Sequence, residues 1–195
     1  SENVRWGEEI EKLRMRASTL TGDCMLAAGF VSYLGAFDQE LREHLWKKEW
    51  KTDLESRRIP VTEGSTPLDL LSDESEKTGM ITEGLPSDQV SMENGAILTK
   101  CKRWPLIIDP QSQGIKWLKK KEEGNLDVIQ VTQKKWLKTV EKAIQNGRCV
   151  IIENVGSEID ASLGPILSRS IYKRGRSLYL KIGEEEIEYD PAFQL

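Results

Sequence analysis

The stretch Arg103–Lys121, RWPLIIDPQSQGIKWLKKK, restricts the fold of this chain more than any other. Pro105–Ile108 is a short apolar run entering a turn. From Gly114 the pattern becomes amphipathic, with Trp117 and Leu118 on the apolar side and Lys116, Lys119, Lys120 and Lys121 on the polar one. That is strand, tight loop, helix, the arrangement in which a helix N-terminus offers backbone N–H groups to an anion. Laid on the phosphate-loop template G-x-x-x-x-G-K-[ST], half of the pattern is present. Asp109 stands in the first glycine slot, Gly114 in the second, Ile115 at the lysine and Lys116 at the hydroxyl residue. Asp109 brings negative charge to the place where phosphate oxygens would sit. Pro110 removes an N–H from a loop built to present them. Ile115 supplies no cation, and Lys116 sits about 100° further round the helix. Two readings stay open on these residues: a nucleotide frame stripped of its chemistry, or an ordinary strand–turn–helix with a chance glycine.

The alternation continues downstream. With Pro105–Asp109 as a strand and Ser112–Glu122 as a helix, Leu126–Val131 reads as the next strand. Thr132 is placed to cap a helix carrying Trp136, Val140 and Ile144, closed by Gly147. Cys149–Val155 is an unbroken apolar run, as in a strand buried on both faces. Asp160 is placed to cap a short helix with Pro165 early in it. Short links between alternating elements imply a parallel sheet covered by helices on both faces. The tail differs: Leu178, Leu180 and Ile182 alternate out to Gly183–Glu184, and Ile187 and Tyr189 alternate back, which predicts a hairpin. Its acidic run, Glu184–Glu188, reads as a solvated tip.

The strand Val150–Ile152 ends in Glu153 and Asn154. Nucleotide-hydrolysing domains of this topology carry two acids there, one helping to hold magnesium and one polarising the attacking water. An asparagine amide accepts no proton from water, so the hydrolytic role is vacant. Two separate positions thus lack the needed groups while the scaffold around both persists.

Upstream, Trp6, Ile10, Leu13, Ala17 and Leu20 are spaced 4, 3, 4, 3, and the alternation continues through Cys24, Ala27, Val31 and Leu34. This predicts one long helix with a coiled-coil-like first half. Residues 5–19 are polar off the seam, whereas 24–37, CMLAAGFVSYLGAF, are apolar nearly all round, as in a helix buried in a domain. An exposed arm running into a core and a plain amphipathic first helix are both compatible with this pattern. Gly35 is a plausible stop and Asp38 a cap for a second helix, striped by Leu41, Leu45, Trp50 and Leu54. Residues 57–80 read as a connecting segment with a helical turn at Leu68–Leu71. Ser87 or Asp88 is expected to cap a short helix through Glu93, ended by Gly95.

Net charge is −4, which argues against bulk attraction to nucleic acid or anionic lipid. The lysines at 119–121 and around 134–142 read as solvated helix faces. Cys24, Cys101 and Cys149, odd in number and widely spaced, read as reduced thiols of an intracellular protein. His44, the one histidine, has no second histidine or cysteine pair near it and reads as a surface residue. No signal peptide is visible, and no uncharged run is long enough to span a bilayer. No metal site is expected.

Four stretches, LTGDCMLAAGFVSYLGAFDQELR (20–42), GLPSDQVSMENG (84–95), KRWPLIIDPQSQGIKWLKKKE (102–122) and CVIIENVGSEIDASLGPIL (149–167), resemble a dynein heavy chain of axonemal type. The similarity is to the fifth AAA+ module of its motor ring and covers essentially the whole chain. It implies an α/β fold: an AAA+ (P-loop NTPase-like) large subdomain with a parallel three-layer α/β/α sheet, long N-terminal helices before it and a C-terminal β-hairpin. The divisions expected are 1–19 as the end of the stalk coiled-coil helix, 20–58 as a helical lead-in packed on the core, 59–101 as a connecting segment with short helical turns, and 102–195 as an incomplete AAA+ α/β core with a C-terminal hairpin. A complete subdomain has five strands; the fourth would begin near Phe193–Leu195 and lie between the first and third. A sheet ending there should be truncated, rearranged, or completed by a partner strand.

The resemblance further implies a ring of six modules in which the first does the main hydrolysis and the fifth binds no nucleotide, so no cofactor is expected. The seam at Trp6–Leu20 lies where the stalk's returning helix would arrive. Implied partners are the neighbouring AAA+ modules, stalk and strut of the same heavy chain, the microtubule through the stalk, and the intermediate and light chains of the parent complex. Nucleic acid and membrane are not among them. The implied location is cytoplasmic and cytoskeletal, in the axoneme of a cilium or flagellum. The resulting expectation is a non-catalytic module linking an ATP-driven ring to its stalk. The alternatives are an unusual nucleotide enzyme using Lys116 or Lys119, and an adaptor that pairs through its helical arm.

Overall fold

In the computed structural model, residues 2–195 are described, with side chains from Arg5 onward except Lys12. The chain divides into two compact units, Ser1–Cys101 and Lys102–Leu195.

The first unit is helical. Helix α1, Glu2–Tyr33, is a single helix, as the seam predicts. The seam itself lies open to solvent, with Trp6 66% and Leu13 58% exposed and Ile10 and Leu20 alike. The second half is not buried all round. Leu26, Phe30 and Leu34 are buried at four-residue spacing beside a buried Gly22, whereas Cys24, Met25 and Tyr33 are exposed. At 100° per residue this core face is roughly 140° from the seam, so α1 carries two separate apolar faces. At Gly22 the Pro60 carbonyl oxygen lies where a side chain would begin, and Val61 Cγ1 would be 2.7 Å from an added Cβ. Beside it, Asp23 accepts from Thr62 N–H at 2.8 Å and Thr62 Oγ1–H at 2.6 Å. Gly22→Ala is therefore expected to lower stability by about 1–3 kcal/mol through overpacking, read as a fall in the urea midpoint.

Asp38 caps α2 (Gln39–His44), its carboxylate accepting from Leu41 N–H at 2.9 Å. The helix continues through a π-helical segment, Leu45–Trp50, into α3 (Lys51–Ser56). Lys51 N–H reaches back five residues to Trp46 O. The wider turn alters the expected stripe: Leu41 is exposed, and Arg42, Trp46 and Leu54 are buried. Trp46 packs edge-on against Phe30 with ring centroids 5.8 Å apart. The helical turn expected at Leu68–Leu71 is α4 (Pro67–Leu71), and the connecting segment holds a further helix, α5 (Glu74–Thr82). Both begin with reciprocal capping boxes, Thr66 with Asp69 and Asp73 with Glu76. Asp88 caps α6 (Gln89–Lys100). Gly95 does not end that helix; it is buried within it.

In the second unit, α7 (Gln113–Lys121) buries Trp117. Strands β1 (Leu126–Ile129) and β2 (Cys149–Ile152) pair in parallel from Leu126 opposite Cys149 to Ile129 opposite Ile152, crossed by α8 (Trp136–Gln145). Thr132 does not cap α8; Lys135 precedes it in a left-handed conformation with no side-chain cap. Gly147, at φ +63°, closes it as expected. The expected strand Pro105–Asp109 is not one. The segment has no regular structure, and Leu106 and Ile108 are 79% and 85% exposed. A strand exists only through a neighbour. On its side away from β1, β2 is met by a single parallel bridge between Cys149 and Gln194, in which Val150 N–H donates to Gln194 O at 2.9 Å. The parallel sheet therefore has two strands among the described residues, not three.

Asp160 caps a 3-10 turn, Ala161–Leu163, that leads into α9 (Gly164–Leu167). The hairpin of β4 (Ser177–Ile182) and β5 (Glu185–Glu188) forms as predicted, turning at Gly183. An unanticipated strand, β3 (Ile171–Arg174), extends it to three antiparallel strands. One core joins α8, β2, α9 and the antiparallel sheet through Val140, Ile144, Val150, Ile166, Leu180, Ile187 and Phe193.

Candidate functional site

The loop before α7 is held by Asp109. Its backbone carbonyl accepts from Ser112 N–H at 3.1 Å, and Ser112 takes a left-handed conformation at φ 55°. One carboxylate oxygen of Asp109 accepts from Gln113 N–H at 3.1 Å and the other from Ile115 N–H at 3.0 Å. Gly114 lies directly beside this carboxylate, and a Cβ there would be 3.4 Å from Oδ2. Two N–H groups that a phosphate loop would aim at its anion are thus taken by the chain's own anion, which also offsets the positive end of the helix dipole. Pro110 is exposed and contributes no donor. Ile115 is half-buried and Lys116 is exposed, so neither places a cation at the loop.

The second half of the frame lies at the same end of β2. Glu153 follows that strand, its N–H donating to Ile129 O at 2.8 Å. Its carboxylate meets Lys119 Nζ of α7 at 2.8 Å. That hydrogen bond holds the Glu153 carboxyl below its ordinary range. Asn154 is exposed and left-handed at φ 56°, a conformation asparagine tolerates better than most residues. The structure thus brings Glu153 to α7 through Lys119, while Lys116 and Asn154 are both exposed.

A titration follows from the ion pair. Because its folded value is lowered, Glu153 contributes stability above the ordinary carboxylate range and loses it as acidification passes through the lowered value. In a carbon-detected titration Glu153 is expected to ionise below the usual glutamate value of about 4.3, and Lys119→Met to return it upward. A midpoint unmoved by that substitution would show that the pair does not form.

Among the described residues no group of three His, Cys, Asp or Glu side chains is placed to hold a metal ion. His44 is exposed, with Nε2 3.3 Å from Glu49. The three cysteines are free, and burial pushes the Cys149 thiol up to about 11, out of the reactive range. Cys24 is exposed, contrary to the apolar setting its neighbours implied. No helix is long and apolar enough to cross a membrane among the described residues.

Sequence reasoning missed a buried polar junction in the first unit. The Arg42 guanidinium donates to Leu34 O and Gly35 O, each at 3.0 Å, to Asn94 Oδ1 at 2.7 Å, and to Glu93 Oε2 at 3.3 Å. The Arg42 and Glu93 side chains are each 3% exposed. It ties the end of α1 to α2 and α6. Periodicity weighs only apolar residues and gives no sign of a buried arginine.

Comparison with known proteins places this geometry in context. A family model described as the ATP-binding dynein motor region matches residues 79–195. A second, described as the microtubule-binding stalk of the dynein motor, matches residues 1–54. The whole chain is 47% identical over 197 residues to a ciliary dynein beta chain of Tripneustes gratilla. It is 45% identical over 195 residues to the flagellar outer-arm dynein beta chain of Chlamydomonas reinhardtii, and 44% over 197 to human dynein axonemal heavy chain 9. In each case the alignment covers 100% of this chain and 4% of the relative.

Proposed function

The chain belongs to the dynein heavy-chain family, and on that premise we propose that it is a non-catalytic structural module of a microtubule motor. It corresponds in this reading to the fifth AAA+ module, and passes conformational change between an ATP-driven ring and the stalk. The observation that carries it is the Asp109 carboxylate on the Gln113 and Ile115 N–H groups. A triphosphate would have to displace that carboxylate, then sit beside its charge with no loop lysine to offset it. The vacancy at Asn154 removes the group that would activate water.

The exposed seam Trp6–Leu20 supports the other half of the reading. A row of apolar side chains on the solvent side of α1 suits a second helix packed along it, as in a two-stranded stalk. The parent heavy chain is then an ATP-dependent motor of the ciliary or flagellar axoneme, hydrolysing in other modules and reaching the microtubule through that stalk. Adjacent modules and the strut contact this one directly. Intermediate and light chains join the parent complex.

Calorimetry with MgATP tests the proposal. Titration of the chain at millimolar nucleotide is expected to give no saturable heat and no phosphate release. Tight binding accompanied by turnover would refute the non-catalytic role.

A further inference from the structure

The connection leading into the unpaired segment at Pro105 and the turn after α9 meet in an open cleft of about 470 Å³, lined by Lys102, Arg103, Trp104, Leu167, Ser168 and Arg169. In its lining the Arg169 guanidinium carbon lies 3.8 Å from the centroid of the Trp104 ring. The indole is fixed from behind, its Nε1–H donating to Ile166 O at 2.8 Å and its ring packing edge-on against Phe193 at 5.8 Å. Arg169 follows α9 in a left-handed conformation, φ 49°. Glycine is the usual residue at such a position, and an arginine held there carries a backbone cost. The side chain it places over Trp104 is what that cost obtains.

The electrostatics are unusual for this molecule. Within a chain of net charge −4, three cations line one cleft. Among the described residues neither Lys102 nor Arg169 has a carboxylate within ion-pair reach, in contrast to Lys119, Arg148 and Arg174 elsewhere in this unit. A guanidinium stacked on an indole keeps its N–H edge available for two parallel hydrogen bonds to a carboxylate, and the aromatic face lowers its need for water. The rest of the lining is the Trp104 ring, the exposed side chain of Leu167, and Ser168, whose hydroxyl is bonded within its own turn to Gly164 O at 2.8 Å.

We propose that this cleft is a docking site for an acidic peptide segment of a partner protein, one carboxylate pairing with Arg169 and Lys102 while an adjacent apolar side chain rests on Trp104 and Leu167. The cleft is far larger than a single oxyanion and half apolar. A peptide bearing both kinds of side chain fits it better than free phosphate. The site lies apart from Asp109 and Glu153 and makes no use of them.

The test uses the full 195-residue chain, labelled with nitrogen-15, and an acetylated six-residue peptide of alternating glutamate and leucine as the probe. The reporter is the indole N–H signal of Trp104, assigned by its loss in Trp104→Phe. The expected result is a saturable shift of that signal. Its dissociation constant should rise at least tenfold in 0.5 M salt and in Arg169→Glu, and stay unchanged in Lys142→Glu on α8. Lys102→Glu, on an exposed connecting residue, provides a second charge reversal should Arg169→Glu disturb the turn, and is expected to weaken binding at least threefold. Absence of a saturable shift at millimolar peptide would overturn the proposal. So would an equal response in the charge-reversed chains. Inorganic phosphate moving the same signal at lower concentration than the peptide would also overturn it, by assigning the cleft to a small oxyanion.

Discussion

Arg42→Ala is expected to cost the first unit about 3–5 kcal/mol, the typical penalty for breaking a buried ion pair from one side. The wild-type guanidinium satisfies four acceptors: Glu93, Asn94 and the carbonyls of Leu34 and Gly35. Removing it leaves the Glu93 carboxylate buried without its cation, with Gln89 Nε2 still donating to it at 2.9 Å. The two carbonyls that end α1 lose their partner in the same step. Stacking of the cation above Phe30, with the guanidinium carbon 5.9 Å from the ring centroid, goes too. Since whole domains are stable by only about 5–15 kcal/mol, such a loss endangers folding itself. The double variant Arg42→Met, Glu93→Leu is expected to recover the part of the deficit that comes from the uncompensated carboxylate, because a hydrophobic pair of similar volume replaces a buried salt bridge at little cost. It leaves the part that comes from the Leu34 and Gly35 carbonyls. Amide exchange at Phe30–Leu34 and across α6 reads the effect locally, alongside the urea midpoint. A single-variant loss under about 1 kcal/mol would mean that the junction is wet and contributes little.

Phe193→Ala is expected to be comparably severe in the second unit, at about 3–5 kcal/mol. Phe193 is fully buried between two rings, with centroids 5.8 Å from Trp104 and 6.1 Å from Tyr189. It precedes Gln194, whose bridge to Cys149 covers part of the β2 edge. Truncation therefore removes a large apolar side chain and loosens the cover of a strand edge together. Unfolding at lower urea and faster aggregation at equal temperature are the paired readouts, since an open edge recruits further strands. A midpoint shift corresponding to less than about 1 kcal/mol would show that the surrounding core collapses to fill the cavity.

The elements legible in the sequence are those whose cause is local. Asp38, Asp88 and Asp160 each cap the helix or turn they precede, because a short acidic side chain reaches the N–H groups two or three residues on whatever surrounds it. The turn at Gly183 and the alternation on either side specify a hairpin for the same reason. The turn that becomes α4 is legible at Leu68–Leu71, and α5 is equally available through Asp73 with Glu76. The serine and acidic content around α5 hides that signal.

At the candidate site, motif spacing marked Asp109 and Ile115 as departures from a phosphate-loop template, and Asn154 as a departure from the acid expected after a later strand. That the Asp109 side chain would turn inward and take the donors for itself was not readable, because it depends on the bend at Ser112. The Lys119–Glu153 contact spans 34 residues and depends on where β2 sets its end against α7.

By itself, then, the sequence determined the long first helix, the departures of the loop at 109–116 from a phosphate-binding template, the β1–α8–β2 crossover and the terminal hairpin. Each rests on interactions within a few residues or on a repeating pattern. Tertiary structure alone decided which face of α1 is buried, the π-helical shift that puts Trp46 inside, the burial of Arg42 with Glu93, and the absence of pairing at Pro105–Ile108. A helix can bury either of two apolar faces, and a strand-like run is a strand only when another backbone supplies its hydrogen bonds. Those outcomes belong to contacts between distant residues, which no local pattern encodes.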